Sequence, residues 1–233
     1  MKVAIISDVH ANLEALTALP ETYNELWVLG DLVNYGPDPA ETVEFIRSRA
    51  AVVIRGNHDH SVGWDEDPRC SPRFAQMAEE TRQYTLSALS REQKDFLRRL
   101  PLTIRREIDG VVFFLCHATP ADPLYEYRPP DSPCWEIQEE ASAGADIILV
   151  GHTHLQFVRS SQDRTIVNPG SLGQSKLGDP SARYAVWENG RIELKSFAYS
   201  VERTIARTKS LPLSRSVKED LAFVLGTGAV APN

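Results

Sequence analysis

Five of the six histidines in this sequence lie in four short polar stretches that directly follow apolar runs. Taken singly, a histidine after a strand is usually a hydrogen-bonded structural residue. Here carboxylate and amide side chains lie in the same stretches as the histidines or in a neighbouring stretch. Burying so many polar groups together costs several kcal/mol unless something compensates them. Bound metal ions do so. The four stretches that contain histidine are Asp8-Val9-His10, Asn57-His58-Asp59, His117 and Gly151-His152-Thr153-His154, and the neighbouring stretch that adds a carboxylate is Gly30-Asp31.

The spacing within two of these stretches suits metal binding. Residues i and i+2 of an extended chain point to the same side, so Asp8 and His10 can reach a common point, as can His152 and His154. Nitrogen and oxygen donors without sulfur favour Mn²⁺, Fe, Co²⁺, Ni²⁺ or Zn²⁺ over a cysteine-rich structural zinc site. The candidate groups are too many for one ion that must also bind water or substrate. We therefore expect two ions, and a pair ~3.5–4 Å apart suits phosphoryl transfer to water.

The elements that position the first of these groups are predicted as strand, helix, strand, helix, strand. Each strand ends in a polar cluster, and the ends of parallel strands meet at one sheet edge, so Asp8, His10, Asp31, Asn57 and His58 should converge. The predicted strands are 2–7, 26–29 and 51–54, with a short helix after Asn12 and a second helix capped by Asp38. Asn12 is either a plain helix cap or a residue that orients the site.

The middle of the chain is predicted to be mainly helical from 67 to 100 and to form a hairpin around Asp109-Gly110, with strands 102–108 and 111–116. The proline-rich loop 121–133 contains Tyr125 and Arg128, and it is either a substrate wall or an ordered surface loop. A helix is expected over 132–143 and a buried strand over 146–150.

The last part of the chain is predicted to contain strands 155–158, 165–167, 183–187 and 191–198, followed by a tail with one or two amphipathic helices. In the tail, Ser216 is expected to open a capping box and Gly226 to end a helix. We predict one domain over 1–233, with a core of 1–200 and a helical tail of 201–233. The alternative is a tail that packs separately.

Composition limits the classes of function. The chain is 42% hydrophobic and 24% charged, as in soluble globular proteins, and its formal net charge is −7. A nucleic-acid partner normally needs a basic stripe, so this acidic balance disfavours one. Three cysteines without C-x-x-C spacing argue against a disulfide framework, and no apolar run approaches the ~20 residues that cross a bilayer. The expected location is the cytoplasm, with no membrane partner.

The order of motifs carries a resemblance. D-x-H at Asp8, G-D at Gly30, G-N-H-D at Gly56, a single histidine at His117 and G-H-T-H at Gly151 together resemble the calcineurin-like metallophosphoesterase superfamily. The resemblance extends from residue 1 to about 200. The sequence around Asp8, Gly30 and 168–171 is similar to the small bacterial branch of this superfamily. That branch includes YfcE-type phosphodiesterases and diadenosine tetraphosphatase-like proteins.

This resemblance implies an α/β (α+β) fold, a four-layer sandwich of two mixed β-sheets flanked by helices, which agrees with the predicted strands. It implies that Asp8, His10 and His154 bind one metal, that Asn57, His117 and His152 bind the other, and that Asp31 bridges them. His58 would donate a proton to the leaving oxygen or stabilise charge on the phosphoryl group, with Asp59 supporting its orientation. The cofactors would be two divalent ions, with Mn²⁺ first and Fe, Zn, Co or Ni as alternatives.

The function expected from these residues is hydrolysis of phosphodiester or phosphomonoester bonds in small, nucleotide-type substrates, without a covalent enzyme intermediate. Substrate contacts are expected from Asn12, Tyr125 and Arg128. Within the same superfamily, a phosphoprotein phosphatase is an alternative, and a nuclease is disfavoured by the negative charge. The alternative outside the enzymes is a catalytically silent scaffold that binds a protein partner. The sequence leaves the physiological substrate and the oligomeric state open.

Overall fold

The strands form two mixed five-stranded sheets in a computed structural model that describes residues 1–137, 139–161 and 164–230. The first sheet has the order β10-β9-β1-β2-β3 and the second the order β4-β5-β6-β8-β7. The strands are β1 (Lys2–Ile6), β2 (Glu25–Val28), β3 (Val52–Val53), β4 (Thr103–Ile108), β5 (Val111–Cys116), β6 (Ile147–Leu149), β7 (Phe157–Ser161), β8 (Arg164–Asn168), β9 (Ala182–Glu188) and β10 (Arg191–Phe197).

Helices flank the sheets, and the predicted fold class is confirmed. In the described part of the chain they are α1 (Leu13–Thr17), α2 (Pro39–Arg49), α3 (Asn57–Trp64), α4 (Ala75–Ala88), α5 (Arg91–Arg99), α6 (Val201–Ser210) and α7 (Arg215–Thr227). None of these helices is long and apolar enough to cross a membrane.

Parallel pairing within each sheet brings the polar stretches to common edges. β1 pairs with β2 and β2 with β3, all parallel, while in the second sheet β5, β6 and β8 are parallel neighbours. Parallel strands need buried faces on both sides, which explains their continuous apolar runs. The inner faces of the two sheets form one core, with Trp27, Phe113 and Trp187 in edge-to-face contact at ring-centroid distances of 5.3 and 5.0 Å.

Local chemistry sets several of these elements as predicted. Asn12 caps α1, with its Oδ1 accepting from Ala15 N at 3.1 Å. The hairpin turn has φ of +53° at Asp109 and +79° at Gly110, as a type I′ turn requires. Strong local signals therefore located these boundaries correctly.

Other local predictions are wrong. Residues 132–143 form two short 3₁₀ turns, Pro133–Glu136 and Glu140–Ser142, rather than one helix, and Gln138 of that prediction lies outside the described residues. Residues 57–64, where the sequence predicted no helix, form the helix α3.

The caps of α2 and α7 also differ from the prediction. Asp38 precedes α2 without capping it, because its carboxylate forms an ion pair with Arg207. Ser214 rather than Ser216 caps α7, and the stop is Gly228 in a left-handed conformation rather than Gly226. Residues 231–233 of the predicted tail lie outside the described part.

Candidate metal centre

The candidate ligands lie at strand ends of both sheets. Asp8 and His10 follow β1, Asp31 follows β2, and Asn57 opens α3, the next element after β3. The second sheet contributes His117 after β5 and both His152 and His154 after β6. The loops after β1 and β2 run side by side, with His10 N donating to Asp31 O at 2.9 Å. All seven ligand candidates therefore come together at one edge of the sandwich.

The side chains form groups in which the ligand atoms all lie within 4.8 Å of one another. One group is Asp8, His10 and His154, and a second is Asp31, His117 and His152. Asp31 lies between them, since its Oδ2 is 3.9 Å from His10 Nε2 and 3.3 Å from His117 Nε2. His58 also forms a group with His10 and Asp31.

Backbone carbonyl groups hold three of the histidine rings from behind. In each ring Nδ1 donates to a main-chain oxygen, which leaves Nε2 directed into the centre as a lone pair when the ring is neutral. The pairs are His10 with Val33 O at 3.2 Å, His117 with Leu29 O at 2.7 Å and His154 with Gln174 O at 2.6 Å.

Two of these inward nitrogens face each other in a way that a shared cation would stabilise. His10 Nε2 and His154 Nε2 are 3.1 Å apart, and both rings already use Nδ1–H for a carbonyl group. Two neutral rings in this arrangement bring lone pairs together. Asp8 Oδ1, 3.4 Å from His154 Nε2, is buried without a hydrogen-bond partner. A divalent cation satisfies all three atoms, so the donor set fits a metal.

The oxygen ligands are oriented in the same manner. Asn57 Nδ2 donates to Pro68 O at 2.8 Å, which turns its Oδ1 toward His117 Nε2 at 3.2 Å. Asp31 Oδ1 accepts from His58 N at 2.9 Å and leaves Oδ2 facing the two histidines. Each of these side chains forms a hydrogen bond through one atom and presents another atom to the ligand groups. Hydrogen bonds orient the ligands of metal sites in the same way.

Burial sets the protonation of the rings. It lowers the pKa of His10 and of His152 to about 3, so both offer nitrogen lone pairs at neutral pH. In His117 burial acts in the same direction, but the charge of Asp31 outweighs it and raises the pKa to about 9. His117 Nε2 faces the oxygens of Asp31 and Asn57, a position that suits a proton or a metal cation.

Backbone strain is concentrated at the same residues. Five candidate ligands have left-handed φ between +47° and +63°, a conformation that costs non-glycine residues roughly 1–2 kcal/mol each. They are Asp8, His10, Asp31, His152 and His154. The turn before Asn57 has no room for a side chain, because a Cβ on Gly56 would lie 2.1 Å from Asp31 Oδ1.

His58 lies on the cavity side of the ligand groups, and its partner differs from the expected one. Asn34 Nδ2 donates to His58 Nδ1 at 2.9 Å, and Cys70 Sγ is 3.6 Å from His58 Nε2. Asp59 does not support the ring. Its carboxylate accepts from the main-chain N–H groups of Gly56, Asp31 and Leu32 at 2.8–3.0 Å. The expectation for Asp59 is corrected: it fixes the loop that carries Asp31.

Two of the three predicted substrate residues lie elsewhere. Asn12 is buried and fully used, because its amide bonds Ala15 N, Gly173 O, Tyr199 OH and Thr204 Oγ1. Arg128 is buried against the Trp135 ring and paired with Glu126 and Glu139. Both are structural residues. His60 stacks on Trp64 and is outside the ligand groups.

Tyr125 does line the cavity in front of the metal centre, which has a volume of about 570 Å³. The sequence did not predict most of the other residues that line this cavity. The cavity is also lined by nine residues outside the predicted site: Tyr35, Arg69, Cys70, Ser71, Arg73, Phe74, Tyr127, Lys176 and Val230. They come from loops and from the tail, where neither periodicity nor spacing marks a contact.

Comparisons with known proteins agree with this geometry. A family model described as the calcineurin-like phosphoesterase superfamily domain matches residues 1–189. An uncharacterised protein of Methanocaldococcus jannaschii is 32% identical over 224 residues, covering 86% of this chain and 89% of its own. The crystal structure of a metallophosphoesterase from Sphaerobacter thermophilus superposes with a TM-score of 0.81 at 31% identity, covering 98% of this chain and 99% of the other.

A shorter match concerns an enzyme named for its substrate. The symmetrical bis(5'-nucleosyl)-tetraphosphatase of Psychromonas ingrahamii is 39% identical over 67 residues, which is 25% of this chain and 24% of that protein.

Proposed function

This chain belongs to the calcineurin-like phosphoesterase superfamily and is a phosphoric ester hydrolase, and we propose that it uses two divalent metal ions to hydrolyse small, nucleotide-type phosphoesters. The observation that carries the proposal is the position of Asp31 Oδ2, which lies between His10 Nε2 and His117 Nε2. One carboxylate between two ligand groups is the arrangement expected of a dinuclear site.

In this proposal Asp8, His10 and His154 hold one ion, Asn57, His117 and His152 hold the other, and Asp31 bridges them. The unpartnered Asp8 Oδ1 and the facing nitrogens of His10 and His154 support the first ion. When bound, two divalent cations supply Lewis acidity to the phosphoryl group and lower the pKa of an attacking water. Nitrogen and oxygen donors without sulfur suit Mn²⁺, Fe, Co²⁺, Ni²⁺ or Zn²⁺, and manganese is the ion tested first.

His58 is proposed to serve the leaving group. The Asn34 amide donates to Nδ1, so the neutral ring carries its proton on Nε2, the nitrogen that faces the cavity wall at Cys70. The Nε2–H group can donate a hydrogen bond to the ester oxygen and stabilise the negative charge that develops on it as its bond to phosphorus breaks. Asn34 is then a positioning residue that sets the tautomer, while Asp59 acts on the Asp31 loop.

The cavity supports a nucleotide-type substrate. Its walls combine the rings of Tyr125, Tyr127 and Phe74 with cationic side chains, and aromatic faces can stack on a base. A volume of about 570 Å³ lies in the range of small-molecule sites. The short match to a bis(5'-nucleosyl)-tetraphosphatase points to the same class of substrate.

We also propose that the chain acts as one unit in the cytoplasm. Hydrogen bonds between the tail and the core support a single unit. Thr204 Oγ1 donates to Asn12 Oδ1 at 3.1 Å, and Gly178 N donates to Gly228 O at 2.7 Å. Three free cysteines, one of them exposed, fit a reducing compartment.

A substrate screen tests the proposed function. Protein stripped with EDTA and reloaded with Mn²⁺ is offered bis-p-nitrophenyl phosphate, p-nitrophenyl phosphate, cyclic nucleotides, dinucleoside polyphosphates and a phosphoserine peptide. We expect turnover of small phosphoesters that is lost with EDTA and restored by Mn²⁺. Mn²⁺-loaded protein that releases phosphate only from the peptide, or is inert toward every substrate, would contradict the proposal.

A further inference from the structure

The lining of the cavity contains a cluster of cationic side chains, although the chain as a whole has a net charge of −7. Three cations line the cavity, Arg69, Arg73 and Lys176, against one carboxylate, that of Asp31. A cleft lined mainly by one sign of charge concentrates ligands of the opposite sign. Among the described residues, none of these three cations has an ion pair or a hydrogen bond from its side chain.

Arg69 is held in place by an aromatic ring. Its guanidinium carbon lies 4.3 Å from the centroid of the Tyr125 ring. Its backbone is fixed as well, since Arg69 N donates to Asp67 Oδ1 at 2.6 Å and φ is +57°. A ring orients a guanidinium through its face while leaving the N–H groups at the edge free. Arg69 is therefore positioned but not neutralised.

Lys176, which also lines the cavity, is anchored by a second aromatic ring. Its Nζ lies 5.1 Å from the centroid of the Phe74 ring, and the side chain is half-buried. Its loop is tied to the metal centre, because Gln174 O accepts from His154 Nδ1, and to the tail through Gly178 N and Gly228 O. The three donor positions of the ammonium group remain available to a ligand.

We propose that Arg69 and Lys176, with Arg73 beside them, form a second anion subsite that binds a phosphate beyond the scissile one. The enzyme then prefers nucleoside polyphosphates to esters that contain a single phosphorus. This inference rests on the proposed function, in which the scissile phosphoryl group lies at the metal centre. A surface cation of ordinary kind would be paired or fully solvated, whereas these two are oriented toward one cavity by aromatic rings.

The test uses two esters that differ only in the distal phosphates. They are the p-nitrophenyl ester of thymidine monophosphate and the γ-p-nitrophenyl ester of thymidine triphosphate, and attack at the ester phosphorus of either releases p-nitrophenolate. The measured quantity is the ratio of kcat/KM for the triphosphate ester to that for the monophosphate ester, in Mn²⁺-loaded protein.

We expect Lys176→Met and Arg69→Gln each to lower this ratio by about ten- to a hundredfold, as the loss of one charge-assisted contact does. Lys176→Arg keeps the charge and should restore most of the ratio. The matched controls are Lys209→Met and Arg99→Gln, two exposed cations on α6 and α5, and they should keep the wild-type ratio.

An unchanged ratio in both Lys176→Met and Arg69→Gln would overturn the second subsite. An equal loss on both esters in Lys176→Met would also overturn it, by placing Lys176 at the scissile group. Failure of the proposed function gives a different pattern, because the wild-type protein then releases p-nitrophenolate from neither ester. Arg69 is exposed, so Arg69→Gln keeps the test valid if Lys176→Met does not fold.

Discussion

The carboxylate of Asp59 joins the loop after β2 to the first turn of α3, and replacing it with asparagine tests this role. Its Oδ2 accepts from Asp31 N at 2.8 Å and Gly56 N at 3.0 Å, and its Oδ1 accepts from Leu32 N at 2.8 Å. An asparagine amide has one acceptor oxygen. At best it keeps the two bonds on one side and turns its NH₂ group toward the N–H of Leu32.

The magnitude follows from these contacts. A buried donor left without a partner costs about 1–3 kcal/mol, and the two remaining bonds lose the assistance of the charge. We expect Asp59→Asn to lower the free energy of unfolding by about 2–4 kcal/mol. In a chain of this size that corresponds to a melting temperature lower by roughly 5–15 °C. Because Asp31 is displaced, metal occupancy should fall as well.

The assay is urea unfolding followed by tryptophan fluorescence, together with metal analysis. The control is Asp146→Asn, since exposed Asp146 accepts a single main-chain bond, from Val112 N at 2.7 Å, and its replacement should change the free energy of unfolding by less than about 1 kcal/mol. If Asp59→Asn unfolds with the wild-type free energy but loses turnover, Asp59 acts on catalysis rather than on the Asp31 loop, and the reasoning is refuted.

Two further substitutions separate catalysis, metal binding and folding. His58→Ala should lower kcat by at least about a hundredfold, because His58 is assigned to the leaving group. Metal content, measured by mass spectrometry, should stay unchanged. Loss of metal would instead make His58 a ligand with His10 and Asp31. Asn12→Ala should lower the free energy of unfolding by about 2–4 kcal/mol in a denaturant titration, because four hydrogen bonds are lost, with KM for bis-p-nitrophenyl phosphate retained. A raised KM at full stability would return Asn12 to the substrate site.

The sequence located the sheet-edge part of the site well, because each of its signals is local. Apolar runs predicted the strands, and the parallel order of β1, β2 and β3 followed from the helices between them, so the convergence of Asp8, His10 and Asp31 needed no further information. His117, His152 and His154 from the second sheet were candidates by residue type and local spacing alone, and their assignment to particular ions came only from the resemblance, since no local rule states how two sheets stack.

The errors share a physical cause. The resemblance implied that Asp59 supports His58, but residues one apart on a helix point in different directions, and α3 turns Asp59 toward the main chain of Asp31. Arg128 is near Tyr125 in sequence, yet nearby carboxylates and the Trp135 ring hold it inside the fold. Side-chain direction in loops depends on tertiary contacts that sequence spacing does not encode.

Lys176 is a cavity residue that the sequence did not predict. It lies in a loop after the tight turn 168–171 and carries no spacing signal, but the contacts of Gln174 with His154 and of Gly178 with Gly228 place it beside the metal centre. Both anchoring contacts join residues far apart in the chain or depend on the tail. A substrate wall assembled in this way becomes visible only in the folded structure.

The central claim is a dinuclear centre bridged by Asp31, and metal stoichiometry tests it most directly. Wild-type protein, Asp31→Asn, His154→Ala and His152→Ala are loaded with Mn²⁺, desalted and measured by inductively coupled plasma mass spectrometry. The assignment predicts two ions per chain in the wild-type protein, about one in each histidine variant, and loss from both positions in Asp31→Asn. A single ion in the wild-type protein, or Asp31→Asn that loses only one of two, would contradict it.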